Sequence, residues 1–149
     1  MNELKPFDDK LSGLLASLSP AGRRKMASDI ANKLRASQQQ RIKRQKAPDG
    51  TPYASRKRQP IKAKKGRVKR EMFSKLRTAR YLKTKATGEA AVVEFAGKVQ
   101  RIARVHQEGL EDKPNRFSLP VQYEVRVLLG FDPADRKIIE DVILSRLFE

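Results

Sequence analysis

Residues 81–95, YLKTKATGEAAVVEF, decide the fold class. Upstream of them the apolar residues recur at helical spacing, and here the period changes. Tyr81 to Ala86 and Ala90 to Phe95 read as two strands joined around Thr87-Gly88-Glu89, which predicts an antiparallel hairpin. Further on, Val121, Tyr123, Val125 and Val127 alternate as a half-buried strand does. A hairpin plus one strand, flanked by helical segments, gives an α+β domain with a small antiparallel sheet.

Working outward towards the N-terminus, Leu4, Phe7, Leu11, Leu14, Leu15 and Leu18 fall on one helical face, with Glu3, Asp8 and Asp9 near the positive helix start. Ser19 then suits an N-cap and Pro20 the first position of a second helix, running towards Lys46 with Met26, Ile30 and Leu34 at four-residue steps. Its second half, ASQQQRIKRQK (36–46), keeps only Ile42 of that face. A helix from Ala21 to Lys46 would be ~40 Å long, so this half is expected to project into solvent or against a neighbouring subunit. Gln39, Ile42, Arg44 and Tyr53 are the candidate interface residues. Pro48-Asp49-Gly50 is a tight-turn signature that stops the helix.

Towards the C-terminus, Met72, Phe73 and Leu76 predict about two turns of helix just before the hairpin. Val99, Ile102 and Val105 restore helical spacing after it, with Gly109 where a left-handed C-terminal residue is wanted. Glu108 to Leu119 reads as polar loop. Asp132 and Pro133 open the last helix, Asp135 lies in its first turn, and Ile138, Ile139, Val142, Ile143, Leu147 and Phe148 form the clearest apolar stripe. That helix is expected to pack on the sheet. Two N-terminal helices, the sheet, a C-terminal amphipathic helix and a long basic loop thus make one domain over 1–149, with a basic flexible segment at about 47–70. There is no internal repeat.

Composition bounds the function. The chain has 149 residues, with 34 Lys and Arg against 17 Asp and Glu, a formal charge of +17. That charge is local. From Arg23 to Arg80 there are 21 basic residues and three acids (Asp29, Asp49, Glu71), a balance of +18, while the remainder holds 13 basic and 14 acidic residues. The densest part, Arg56 to Arg70 (RKRQPIKAKKGRVKR), has nine Lys or Arg in fifteen positions and only Ile61 and Val68 as large apolar side chains. Such a run repels itself, so its order has to come from a partner. Arg56, Lys57, Arg58, Lys62, Lys64, Lys65, Arg67, Lys69 and Arg70 are the candidate contacts to an anionic partner. They suit phosphate oxygens through counterion release, and they suit an acidic protein surface equally. Tyr53 is the only aromatic between Phe7 and Phe73, which disfavours a single-strand reader with stacking platforms.

Enzymatic motifs are missing. With no Cys there is neither a disulfide framework nor a thiolate site, and a lone His106 excludes the usual zinc sets and suits packing or capping at a helix end. Gly97-Lys98 has Val92 where a phosphate loop needs Gly. The acids fall mainly at helix starts, where they compensate the dipole. Glu140 and Asp141 lie on the solvent face of the last helix. No cofactor, no metal and no catalytic residue is therefore expected. No run is long enough to span a membrane, and the start, MNELKPFDDK, is too acidic and polar for an export signal.

Three short motifs go further: D-G-T-P-Y at Asp49–Tyr53, A-x-V-H-Q-x-G at Ala103–Gly109 and R-x-L-L-G-F at Arg126–Phe131. In this order, with KREMFSKLRTARYLK (69–83) between the first two, the chain resembles the phage virion morphogenesis family over nearly its whole length. The resemblance implies a structural protein acting late in tail assembly, which finishes the head-proximal end of the tail so that it joins a DNA-filled head. It implies other tail and neck proteins as partners, a homo-oligomeric ring, and assembly in the host cytoplasm with retention in the virion as an open matter. Non-specific contact with DNA is a secondary expectation. The competing reading from charge alone is a nucleic-acid-binding accessory protein acting through the basic segment.

Overall fold

The computed structural model describes residues 5–16, 18–56 and 71–147. The elements run α1 (Lys5–Ala16), α2 (Pro20–Lys43), β1 (Leu82–Ala86), β2 (Ala91–Phe95), a 3-10 turn (Gly97–Val99), α3 (Gln100–Glu108), β3 (Glu111–Asp112), β4 (Val121–Gln122) and α4 (Pro133–Leu147). The class is α+β. The chain divides into two compact units, Met1–Arg35 with Thr84–Val93 and Pro133–Glu149, and Ala36–Lys83 with Glu94–Asp132.

The first unit is built on apolar periodicity. Ser19 Oγ accepts the Gly22 N–H at 3.0 Å, satisfying one of the otherwise unpaired amides at the start of α2. From there α2 buries Met26, Ile30 and Leu34 against Val142 of α4, and Leu18, Ala91, Val93, Ile138, Ile139 and Ile143 pack around that cluster. The stripe on α4 therefore packs on α2 and on β2 together. Arg146 pairs with Asp29 at 3.8 Å on the margin of this core. Asp135, expected to serve only the helix dipole, is fully buried.

The second unit departs from expectation in four places. First, residues 36–46 do not project: Gln38 is 4% exposed, Arg41 2% and Ile42 0%. The helical face begun by Met26, Ile30 and Leu34 continues, but with polar side chains that make specific bonds, which hydropathy does not register. The helix also stops at Lys43, because Gln45 takes a left-handed backbone (φ 58°). Second, residues 72–76 form irregular turns instead of helix. Phe73 sits at φ 66°, which a right-handed helix cannot hold.

Third, the sheet is not one hairpin plus one strand but two separate two-stranded antiparallel sheets, β1–β2 and β3–β4. The stretch read as polar loop contributes β3, paired Glu111 to Gln122 and Asp112 to Val121. The strand predicted over 121–127 is only two residues long. Alternation fails at Val125, 59% exposed, and Arg126, buried. Fourth, α3 buries Ala103 and Val105 while Ile102 is 46% exposed. Gly109 does end α3 as expected, at φ 65°, with its N–H on the Val105 carbonyl. A Cβ there would lie 2.6 Å from Val125 Cγ2, so both conformation and space require glycine.

Candidate interaction site

Residues 123–132 run through the second unit with almost no sheet partner, and side chains take over the task of satisfying their backbone. Gln107, at the end of α3, accepts the Leu128 and Leu129 amides on Oε1 at 2.7 and 3.1 Å, and its Nε2 donates to the Leu129 carbonyl at 2.9 Å. Arg41 enters from α2, donating to the Leu128 and Gly130 carbonyls at 3.3 and 3.2 Å, to Gln38 Oε1 and to Asp132 at 3.3 Å. Gln38 Oε1 also accepts the Gly130 amide. The Tyr53 hydroxyl donates to the Val127 carbonyl at 2.9 Å, and its burial pushes the phenol up to about 12, so it remains a donor throughout the physiological range.

The same clamp works in the opposite direction. Arg126 donates from its guanidinium to the Ala54 and Ser55 carbonyls at 2.9 and 3.1 Å, while its own amide bonds the His106 carbonyl. The turn that delivers Tyr53 is fixed by Asp49 Oδ1 accepting the Thr51 N–H at 2.9 Å and by Gly50 at φ 89°. Those bonds to Thr51 hold the Asp49 carboxyl below its ordinary range. Gln45 clamps Met72 reciprocally, accepting its amide at 3.0 Å and donating to its carbonyl at 2.9 Å.

An aromatic row lies beside this clamp. Tyr53 meets Phe73 edge-on at 5.6 Å, Phe73 meets His106 at 4.9 Å, and His106 meets Tyr123 at 4.9 Å. His106 is thus a packing residue between two rings. Its Nδ1 is buried without a hydrogen-bond partner among the described residues. Burial lowers its pKa, the Arg126 charge adds to the effect and Asp112 opposes it, so the ring is neutral near pH 7. Phe73, His106 and Tyr123, with Met72, Leu76 and Ile102, line a cavity of about 750 Å³. Arg56 and Glu71, which flank residues 57–70, both line it as well.

Of the candidate anionic-partner contacts, Arg56 is exposed, and Lys57, Arg58, Lys62, Lys64, Lys65, Arg67, Lys69 and Arg70 lie outside the described residues. Of the candidate subunit contacts, Arg44 is exposed and Gln39 half-buried, its Nε2 donating to the Arg77 carbonyl at 2.8 Å. Ile42 and Tyr53 are buried within the chain itself. Sequence reasoning missed Gln38, Arg41, Gln45 and Gln107. For two of them the signal was available: Gln38 and Arg41 continue the buried face of α2 at steps of four and three after Leu34. Among the described residues no group of three or more His, Asp or Glu could hold a metal ion, and no helix is long and apolar enough to cross a membrane.

The three motifs noticed in the sequence meet here: Tyr53 holds Val127, Gln107 holds Leu128 and Leu129, and Arg126 holds Ala54 and Ser55. Their conjunction reflects one interlocked structure. The model of the phage virion morphogenesis family matches residues 2–148. Tail completion protein S of Escherichia phage P2 is 50% identical over 148 residues, covering 99% of either chain. No solved structure gives a significant match. A family match over residues 2–148, with a relative 50% identical from end to end, makes the chain a member of the phage virion morphogenesis family.

Proposed function

We propose that this chain is a tail completion protein, which finishes the head-proximal end of a phage tail and enables its joining to a DNA-filled head. The observation that carries the reading is the end-to-end similarity to a relative named for tail completion, 50% identical with no large unmatched region on either side. Other tail and neck proteins are then its partners, and assembly takes place in the host. An end-capping protein has to match the rotational symmetry of a tail, so the working form is a closed ring of head-to-tail contacts. The role is structural and requires no cofactor or catalytic residue.

The basic segment serves the junction in this reading. Nine cations between Arg56 and Arg70 are available to an acidic protein surface or to the DNA that crosses it. Replacing Lys64, Lys65, Arg67, Lys69 and Arg70 by Gln is expected to leave thermal stability unchanged and to block head–tail joining in a complementation assay. Normal phage yield from that variant would remove the segment from the mechanism. The concentration of +18 in one stretch also favours a second reading, a nucleic-acid-binding accessory protein. Native mass and a salt series separate the two. A ring-sized oligomer with feeble DNA affinity supports assembly, whereas a monomer or dimer whose DNA affinity falls steeply with salt supports the accessory role.

A further inference from the structure

The chain enters and leaves the basic segment at the aromatic cavity, and both ends are pinned there. Arg126 holds the Ala54 and Ser55 carbonyls, and Gln45 holds Met72 through its amide and its carbonyl. Arg56 and Glu71, the last described residues on either side, belong to the cavity wall. The fourteen residues between them carry eight Lys or Arg and no acid. Anchored at both ends, a chain of that length cannot carry those charges more than about 25 Å from the wall. The wall itself is cationic on balance, with Arg56, Lys75 and Arg126 against Glu71 and Glu124. Glu71 is already engaged by Arg77 at 3.4 Å, whereas Arg126 keeps its full charge on neutral carbonyls.

We propose that the cavity takes an aromatic side chain borne by an acidic segment of a partner protein, which in the tail-completion reading is another tail or neck protein. The charge of wall and basic segment together selects an anionic partner and steers it to this recess. The recess then offers what an aromatic anchor needs: Phe73, His106 and Tyr123, which already meet edge to face, and the half-exposed Ile102. A volume of about 750 Å³ suits a site that buries a small ligand or a few side chains. A peptide fits this wall better than a nucleic acid does. A strand brings a phosphate past Glu124 at every nucleotide, whereas a peptide places its acids only where its side chains stand and offers N–H donors to that carboxylate. The partner's identity rests on the tail-completion reading; the site does not.

The chain contains no Trp, so the emission of a Trp peptide reports on the peptide alone. The probe is acetyl-Glu-Asp-Trp-Asp-Glu-amide, which is expected to bind the full chain saturably with a blue shift of its emission. Lys in place of its four acids is expected to weaken binding at least roughly tenfold, and Gly in place of Trp to abolish competition for the site. Ile102 is 46% exposed and Lys75 is exposed, so Ile102→Ser and Lys75→Glu are expected to melt as the wild type does. Each should lower affinity roughly tenfold, and Ile102→Ser should also remove the blue shift. Affinity that follows the charge of the peptide but ignores Ile102→Ser assigns the peptide to the basic segment and overturns the cavity. An oligo-dT strand that displaces the probe and itself binds more weakly to Ile102→Ser overturns the proposal in favour of nucleic acid. A probe that does not bind removes the site and leaves tail completion standing. Whole particles made without the chain remove tail completion, and with it the partner named here, whatever the peptide does.

Discussion

Helix α2 passes through two chemistries on one face. In the first unit Met26, Ile30 and Leu34 are buried among apolar neighbours from α4 and β2. In the second unit the same face buries Gln38, Arg41 and Ile42, and the two polar residues hold backbone groups of 128–130. The first arrangement is non-directional and tolerates adjustment of neighbouring side chains. The second is directional: removing one partner strands buried donors and acceptors. A chain segment with a prescribed irregular path can be held only in the second way. In this protein that segment bears Tyr123 and Arg126, which line the cavity.

Truncating one residue of each kind should separate the two most strongly. Arg41→Ala removes the bonds to Gln38, two carbonyls and Asp132 at a site 2% exposed, and is expected to cost about 3–5 kcal/mol. Leu34→Ala leaves a cavity in the apolar cluster and is expected to cost about 2–4 kcal/mol. Urea unfolding of both variants decides it. A smaller loss for Arg41→Ala than for Leu34→Ala would mean that the polar clamp is incidental.

Gln107→Leu comes next. It conserves volume but leaves the Leu128 and Leu129 amides and the Leu129 carbonyl unpaired, a loss of about 1–3 kcal/mol. Hydrogen exchange should accelerate at Leu128 and Leu129 and stay unchanged at Ile138 to Val142. Uniform acceleration would show that the two units do not differ in what holds them.

The smallest effect concerns His106. Its pKa in the folded chain is below the ordinary 6.5, so the unfolded chain takes up a proton first as the pH falls. Stability is therefore full above 6.5 and declines as the pH drops towards the folded value. His106→Phe keeps a ring between Phe73 and Tyr123 and removes this part of the acid loss, a small difference because the ring is only half-buried. Urea midpoints at about pH 7.5 and about pH 5 measure it. An unchanged acid slope would place the titration elsewhere.

The contrast also explains what could be read from the residues alone. The last helix, the core partners Met26, Ile30 and Leu34, the β1–β2 hairpin, the Asp49-Gly50 turn and the Gly109 terminus were legible. Each rests on apolar period or on a backbone requirement local to a few residues. Residues 36–46 were misread because a buried polar face has the same hydropathy as a solvated one. The strand over 121–127 was misread because Val121, Tyr123, Val125 and Val127 carry the period of a sheet, while past Gln122 the backbone bonds instead to the Leu110 and His106 carbonyls and to the Tyr53 hydroxyl. The basic segment was legible as charge, and the cavity was not, since its wall is assembled from residues 54–56, 71–76, α3 and 121–126, which are far apart in the sequence.

The proposed role of this member of the phage virion morphogenesis family is to complete tails. Electron microscopy of lysates from a phage lacking the chain tests it most directly. Such lysates are expected to hold DNA-filled heads beside unjoined tails with unfinished head-proximal ends, restored to whole particles by the wild-type chain supplied in trans. Whole, joined and infectious particles made without it would contradict the claim.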